Sequence, residues 1–221
     1  MIRALHPTRL ILVRHVETTK NTQGRHGGGD QAITARGLRQ AKQLSSFLRQ
    51  LHDESSIIYC QPETRSHQTA QLVSGASDTA PQSIELLRGI DMGAVSGLSD
   101  KELVRKYPLV ALSYLLWRSG FSLRRPKIAG AESIAGFAQR SRQALEHLAA
   151  GPHRTVVFVG TTSTILMLNH LLQNDGKLVR KAYHFYELKL GHAAQWSISP
   201  DSPPRQITYT KGNDKETKIK D

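Results

Sequence analysis

Arg14 and His15 come directly after a short apolar run, Leu10-Ile11-Leu12-Val13, and before a turn-forming stretch, Thr18 to Asp30, that holds four glycines. Phosphoryl transfer to a histidine needs these residue types in this order. A neutral imidazole nitrogen attacks phosphorus, and a guanidinium beside it neutralises the phosphoryl oxygens through planar, two-pronged hydrogen bonds. The charge of Arg14 also opposes protonation of His15, which keeps the ring nucleophilic. An isolated Arg-His pair is an ordinary loop feature, so the weight of the assignment rests on what surrounds it.

The elements that position the pair follow from hydrophobic patterning. Arg9 to Val13 and Thr155-Val156-Val157-Phe158-Val159 read as continuous apolar strands suited to the buried centre of a parallel sheet, and Ile57-Ile58-Tyr59-Cys60 as a third strand. Thr34 is placed to cap a helix with Leu38, Ala41, Leu44, Leu48 and Leu51 on one face. A second helix follows Pro62 and runs through Arg65 to Val73. Residues 99 to 120 read as helical, with Leu103, Leu112, Leu115 and Leu116 as buried candidates, and residues 121 to 130 as a loop. A further helix starts near Glu132-Ser133 and turns Ile134, Phe137, Leu145 and Leu148 to one side. This alternation predicts an α/β fold, a single-domain three-layer αβα sandwich with a mostly parallel central sheet. Ligands in such folds bind beyond the carboxyl ends of strands. Arg14-His15 and Gly160-Thr161-Thr162-Ser163-Thr164 occupy two such ends. The domain is expected over residues 1–198, and residues 199–221, with Ser202-Pro203-Pro204 and few apolar side chains, as a flexible tail.

The motifs together carry a resemblance. Leu12-Val13-Arg14-His15-Val16-Glu17-Thr18 with Asn21 is similar to the RHGET-x-x-N segment of the histidine phosphatase superfamily, the phosphoglycerate mutase-like proteins. Gly24-Arg25 and Asp30, then Ile33-Thr34-Ala35-Arg36-Gly37, resemble that family's next segments. Pro62-Glu63-Thr64-Arg65-Ser66-His67-Gln68-Thr69-Ala70 resembles its P-x-x-R-x-x-Q-T-A helix, and Gly130-Ala131-Glu132-Ser133 its G-G-E-S turn. The resemblance implies that His15 takes the phosphoryl group, that Arg14 and Arg65 clamp its oxygens, and that Asn21 hydrogen-bonds it. Glu17 is expected to orient backbone, because a carboxylate at the phosphate would repel it.

Two positions depart from the family pattern. Thr161 stands where the resemblance implies a second histidine, and Gly89, in Leu87-Arg88-Gly89-Ile90-Asp91-Met92-Gly93, where it implies an acidic glutamate. A threonine hydroxyl donates one hydrogen bond to a phosphate oxygen but carries no charge. Loss of one such donor commonly slows a reaction by about 10²–10³-fold. Asp91 is the nearest carboxylate in sequence and the candidate acid; His192, in the turn Gly191-His192-Ala193, is a candidate replacement for the missing histidine. Val16 replaces the glycine after the nucleophile and is expected to narrow the pocket.

With 30 basic against 18 acidic side chains, the net charge is +12, which favours phosphorylated ligands but does not choose among them. Part of the excess falls at Arg124, Arg125 and Lys127. Nucleic acid is disfavoured as a partner because no aromatic interleaving accompanies the charge. The lone Cys60 excludes an internal disulfide framework, and the apolar run at 10–13 is too short to span a membrane. A cytoplasmic protein with no membrane partner is expected. None of the ten histidines falls in a ligand pattern such as H-E-x-x-H, so no metal or other cofactor is implied. The leading expectation is a phosphomonoester hydrolase acting on a phosphorylated small molecule or phosphoprotein. A phosphate-binding pseudophosphatase and, third, a phosphomutase remain open, as does the oligomeric state.

Overall fold

The computed structural model describes residues 8–23, 25, 32–51, 55–75, 80–118, 127–179, 188–211 and 214–217. Gly24, Asp30 with the rest of 26–31, Arg124 and Arg125 lie outside the described residues.

The strands are β1 (Thr8–Arg14), β2 (Ser56–Cys60), β3 (Gln82–Ser83), β4 (Thr155–Gly160), β5 (Ala193–Ile198), β6 (Arg205–Lys211) and β7 (Asp214–Thr217). They form one seven-stranded sheet in the order β3-β2-β4-β1-β5-β6-β7. The half from β3 to β1 is parallel, and β5, β6 and β7 add to it antiparallel. Helices cover both faces, which gives the αβα layering that strand and helix alternation predicts.

Successive side chains of a strand point to opposite faces, and here both faces are apolar. Leu10, Leu12, Val156 and Phe158 pack with Phe137 and Leu145 of α6 (Ile134–Ala150) and with Ile165 and Leu168 of α7 (Thr162–Gln173). Ile11, Val13, Val157 and Val159 pack on the other side with Leu44 and Leu48 of α2 (Ala35–Arg49) and Ala70 and Val73 of α3 (Thr64–Ser74). Each of these side chains larger than Ala70 contributes about 1.5–3 kcal/mol of transfer free energy. The strand ends that carry polar residues are therefore anchored in a rigid frame. Thr34 caps α2 as expected, its Oγ1 accepting from the Gly37 N–H at 3.0 Å. Leu38 of the same helix is half exposed rather than buried.

Other expectations are corrected. Residues 199 onward do not form only a tail: the described part supplies β6 and β7, with Trp196 of β5 paired to Gln206 of β6. β5 would otherwise be an edge strand with unpaired backbone groups, and the β-branched Ile207, Thr208 and Thr210 suit a strand laid against it. Helix over 99–120 is divided at Pro108 into α4 (Asp100–Lys106) and α5 (Pro108–Arg118). Leu103 is buried, but Leu112, Leu115 and Leu116 are exposed. The break rotates α5 so that Val110 and Tyr114 face inward, lining an apolar seam with Met92, Val95, Leu103 and Ile128. Helix α7, directly after β4, was not anticipated. Among the described residues, no helix is long and apolar enough to cross a membrane.

Candidate active site

His15 leaves the sheet at the carboxyl end of β1, beside the carboxyl end of β4. Its N–H donates to the Gly160 carbonyl at 2.9 Å, and the residue is only 3% exposed. Its Nδ1 lies 2.8 Å from the Val16 carbonyl oxygen. A carbonyl only accepts, so Nδ1 carries the ring proton and Nε2 keeps the lone pair. Burial pushes the His15 pKa down to about 3; the bond to Val16 opposes this, and the charges of Arg65, Arg14 and Lys20 add to it. The ring is therefore neutral at neutral pH, the form that can attack phosphorus.

Lys20 belongs to this group, although no sequence pattern placed it there. It lies in α1 (Thr19–Thr22) and is 7% exposed, an unusual degree of burial for a lysine. Val16 is fully buried and takes no positive φ, and its N–H donates to Thr69 Oγ1 of α3 at 3.3 Å. A branched residue therefore fits after His15 without backbone strain.

The loop behind His15 is held from α2. The Glu17 carbonyl accepts from the Thr34 N–H at 3.1 Å, and Glu17 Oε1 from Thr34 Oγ1 at 2.8 Å. A Cβ on Gly37 would stand 2.2 Å from the Glu17 carbonyl oxygen, so only glycine permits this approach. The Glu17 carboxylate thus holds the Thr34 hydroxyl that caps α2, rather than backbone directly. Asn21 Oδ1 accepts from both the N–H and the hydroxyl of Thr18 at 2.9 Å, closing the start of α1. Any bond from Asn21 to a phosphate oxygen must come from its Nδ2. On the far edge, the Arg14 N–H donates to the His192 carbonyl at 3.0 Å and Arg14 Nη1 to the Leu188 carbonyl at 2.7 Å. His192 is buried there, so the structure brings Arg14, His15 and His192 together.

The opposite side is assembled around Gln61, which is fully buried at the exit of β2. Its Oε1 accepts from the Thr161 N–H. Its Nε2 donates to the Leu87 carbonyl, and to Thr164 Oγ1 at 2.7 Å. Gln61 thereby ties the start of α7 to the segment leading to Gly89. Arg140 of α6 holds that segment from outside. It donates to both oxygens of Glu132 at 2.6 and 2.7 Å and to the carbonyls of Leu86, Arg88 and Gly89 at 2.7, 2.8 and 3.2 Å. Every guanidinium N–H is used.

A carboxylate stands at Gly89. Glu63 Oε1 accepts from the Gly89 N–H at 2.6 Å, and a Cβ on residue 89 would lie 2.8 Å from that oxygen and 3.8 Å from Thr161 Oγ1. Burial pushes the Cys60 thiol up to about 11, with the Glu63 charge adding to the effect. Glu63 sits inside the segment quoted for Arg65, and its carboxylate two residues before that arginine is the signal the sequence offers for it. Asp91, the sequence candidate for the acid, is exposed, and its Oδ1 accepts from the Gly93 N–H at 2.8 Å, capping its own turn. Among the described residues, no group of three or more His, Cys, Asp or Glu side chains is gathered as a metal site requires.

The sequence pattern described as the histidine phosphatase superfamily (branch 1) matches residues 10–188. An acid phosphatase of Mycobacterium tuberculosis is 32% identical over 156 residues, covering 68% of this chain and 68% of its own length. Phosphoserine phosphatase 1 of Hydrogenobacter thermophilus is 31% identical over 156 residues, 70% of this chain and 71% of its own. The crystal structure of a phosphoserine phosphatase from Entamoeba histolytica, in complex with 3-phosphoglyceric acid, superposes with a TM-score of 0.74 at 25% identity, covering 93% of this chain and 98% of that one.

Proposed function

The chain belongs to the histidine phosphatase superfamily, branch 1, and on that premise we propose that it is a phosphomonoester hydrolase working through a phosphohistidine on His15. The observation that carries the proposal is the state of the ring. Nδ1 donates to the Val16 carbonyl and burial holds the pKa at about 3, so Nε2 offers a lone pair at neutral pH. Arg14 and Arg65 are assigned to the phosphoryl oxygens, and the charge of Lys20 adds to theirs. Thr161 and Asn21 Nδ2 would each contribute one hydrogen bond, and His192 would close the edge beside Arg14. Attack by Nε2 releases the alcohol, and water then discharges the phosphohistidine. The proposed substrates are phosphomonoesters carried by small molecules or proteins. The proposed compartment is the cytoplasm, which suits a single buried thiol at Cys60.

Purified protein is expected to hydrolyse p-nitrophenyl phosphate. His15→Ala should abolish turnover, and Arg65→Ala should lower it by about 10²–10³-fold through loss of a charged donor. Turnover that survives His15→Ala would sink the phosphohistidine. Phosphate-ester binding that Arg65→Ala weakens, without His15-dependent turnover, would instead make the protein a phosphate receptor.

A further inference from the structure

Glu63 is a carboxyl group that the steps above leave unused. It sits at the N-terminal boundary of α3, two residues before Arg65. One oxygen is fixed by the Gly89 N–H at 2.6 Å. The other, Oε2, is buried and meets no hydrogen-bond donor among the described residues. A buried polar atom left without a partner calls for an explanation, and catalytic work is one of the recognised ones. Gly89 is part of the same arrangement. A Cβ there would stand 2.8 Å from Glu63 Oε1 and push that carboxyl end aside, so with glycine the point between that oxygen and the Thr161 hydroxyl stays clear while the carboxyl group keeps its place. Thr161 follows Gly160, whose carbonyl holds the His15 N–H. The carboxyl group is thus tied, through Gly89 and Thr161, to the nucleophile's own strand pair.

We infer that Glu63 is the general acid and base of the reaction, exchanging its proton across the point that Gly89 keeps clear. The inference rests on the phosphohistidine reading. In the first step, His15 Nε2 bonds to phosphorus and the phosphorus–ester oxygen bond breaks. The departing oxygen takes the proton of the Glu63 carboxyl group and leaves as the alcohol. In the second step, a water oxygen attacks phosphorus and hands one proton to the Glu63 carboxylate. The phosphorus–nitrogen bond breaks, phosphate departs, and both His15 and the Glu63 carboxyl group are restored.

A proton donor matters most for a poor leaving group, so the test compares two esters. β-Glycerophosphate releases an alkoxide that must be protonated; p-nitrophenyl phosphate releases a phenolate that needs little help. Glu63→Gln keeps an oxygen to accept from Gly89 but cannot give up a proton. It should lower kcat/KM for β-glycerophosphate by about 10²-fold and for p-nitrophenyl phosphate by only about threefold. Glu63→Ala/Gly89→Glu, which returns a carboxyl group to the same point from the other segment, should recover much of the loss on β-glycerophosphate. With His15-dependent turnover intact, an equal loss on both esters, or no loss on either, overturns the role of Glu63 alone. If His15→Ala leaves turnover of both esters in place, the phosphohistidine falls, and the Glu63 inference with it.

Discussion

On the nucleophile side of the site, Arg14 and His15 are consecutive residues at the end of β1, held by backbone groups of Gly160, Gly191 and His192. Across the site, Glu63, Gly89 and Thr161 come from three segments, and Gln61 and Arg140 hold them through bonds that span 26 to 103 residues. The first side is an extension of the sheet, so its geometry is as stiff as the β1–β4 pairing. The second depends on one buried and one half-buried polar side chain, and its donors can be re-aimed by a substitution far away in sequence. The proposed nucleophile and its cations lie on the stiff side, and Gly89 and Thr161, the two positions that differ from the resembled motifs, lie on the other.

The largest expected effect comes from breaking the second side at its centre. Gln61→Ala takes partners from the Thr161 N–H, the Leu87 carbonyl and the Thr164 hydroxyl, all within the interior. Each buried group left unsatisfied costs about 1–3 kcal/mol, so a loss of about 3–5 kcal/mol is expected in urea unfolding. Turnover of alkyl esters should suffer with it, because Thr161 and Gly89 lose their common support. A loss within about 0.5 kcal/mol, as for a surface substitution, would show that Gln61 does not hold this side.

The same contrast decides what could be read from the sequence. Arg14, His15, the Thr34 cap and Arg65 lie in contiguous segments whose spacing is itself the signal, and the strands behind them are apolar runs. Gln61, Glu63 and Arg140 act through contacts between distant segments, so no local period marks them, and Lys20 is marked only by its burial beside His15. Asp91 is near Gly89 along the chain, which is all a sequence displays, whereas Glu63 is near it in space. The three exposed leucines of α5 arose from reading one continuous helical face across Pro108. The strands beyond Ser199 were missed because their stability comes from an edge already present in β5 rather than from burial of their own.

A smaller effect, of opposite origin, sharpens the nucleophile side. The His15 pKa is about 3 in the folded protein against 6.5 as the reference value for the unfolded chain. Below pH 6.5 the unfolded chain gains a proton that the folded protein does not bind until about pH 3. The stability linked to this ring is therefore fully present above pH 6.5 and is lost as pH falls toward 3, at about 1.4 kcal/mol per pH unit. Between pH 7 and pH 5 the loss is about 2 kcal/mol. Wild-type Tm should fall over this interval by more than that of His15→Asn, which has no ring to protonate. Parallel falls would mean that the ring is not held neutral, and the nucleophile side would lose its distinguishing property.

The smallest expected effect is at Asp91. Its carboxylate is exposed and its Oδ1 accepts from the Gly93 N–H, two residues on. Asp91→Asn retains an oxygen at that place, since an asparagine side chain forms the same turn. Stability should change by less than about 0.5 kcal/mol, and turnover of β-glycerophosphate by less than about twofold. The comparison with Glu63→Gln is close in chemistry, because each change replaces one carboxylate by its amide and keeps one acceptor in position. The two sites differ in surroundings: solvent reaches Asp91, while Glu63 Oε2 is buried and meets no donor among the described residues. If Asp91→Asn cost as much on the alkyl ester as Glu63→Gln is expected to cost, proton transfer would run through the exposed turn, and Gly89 would be small for a reason unconnected with catalysis.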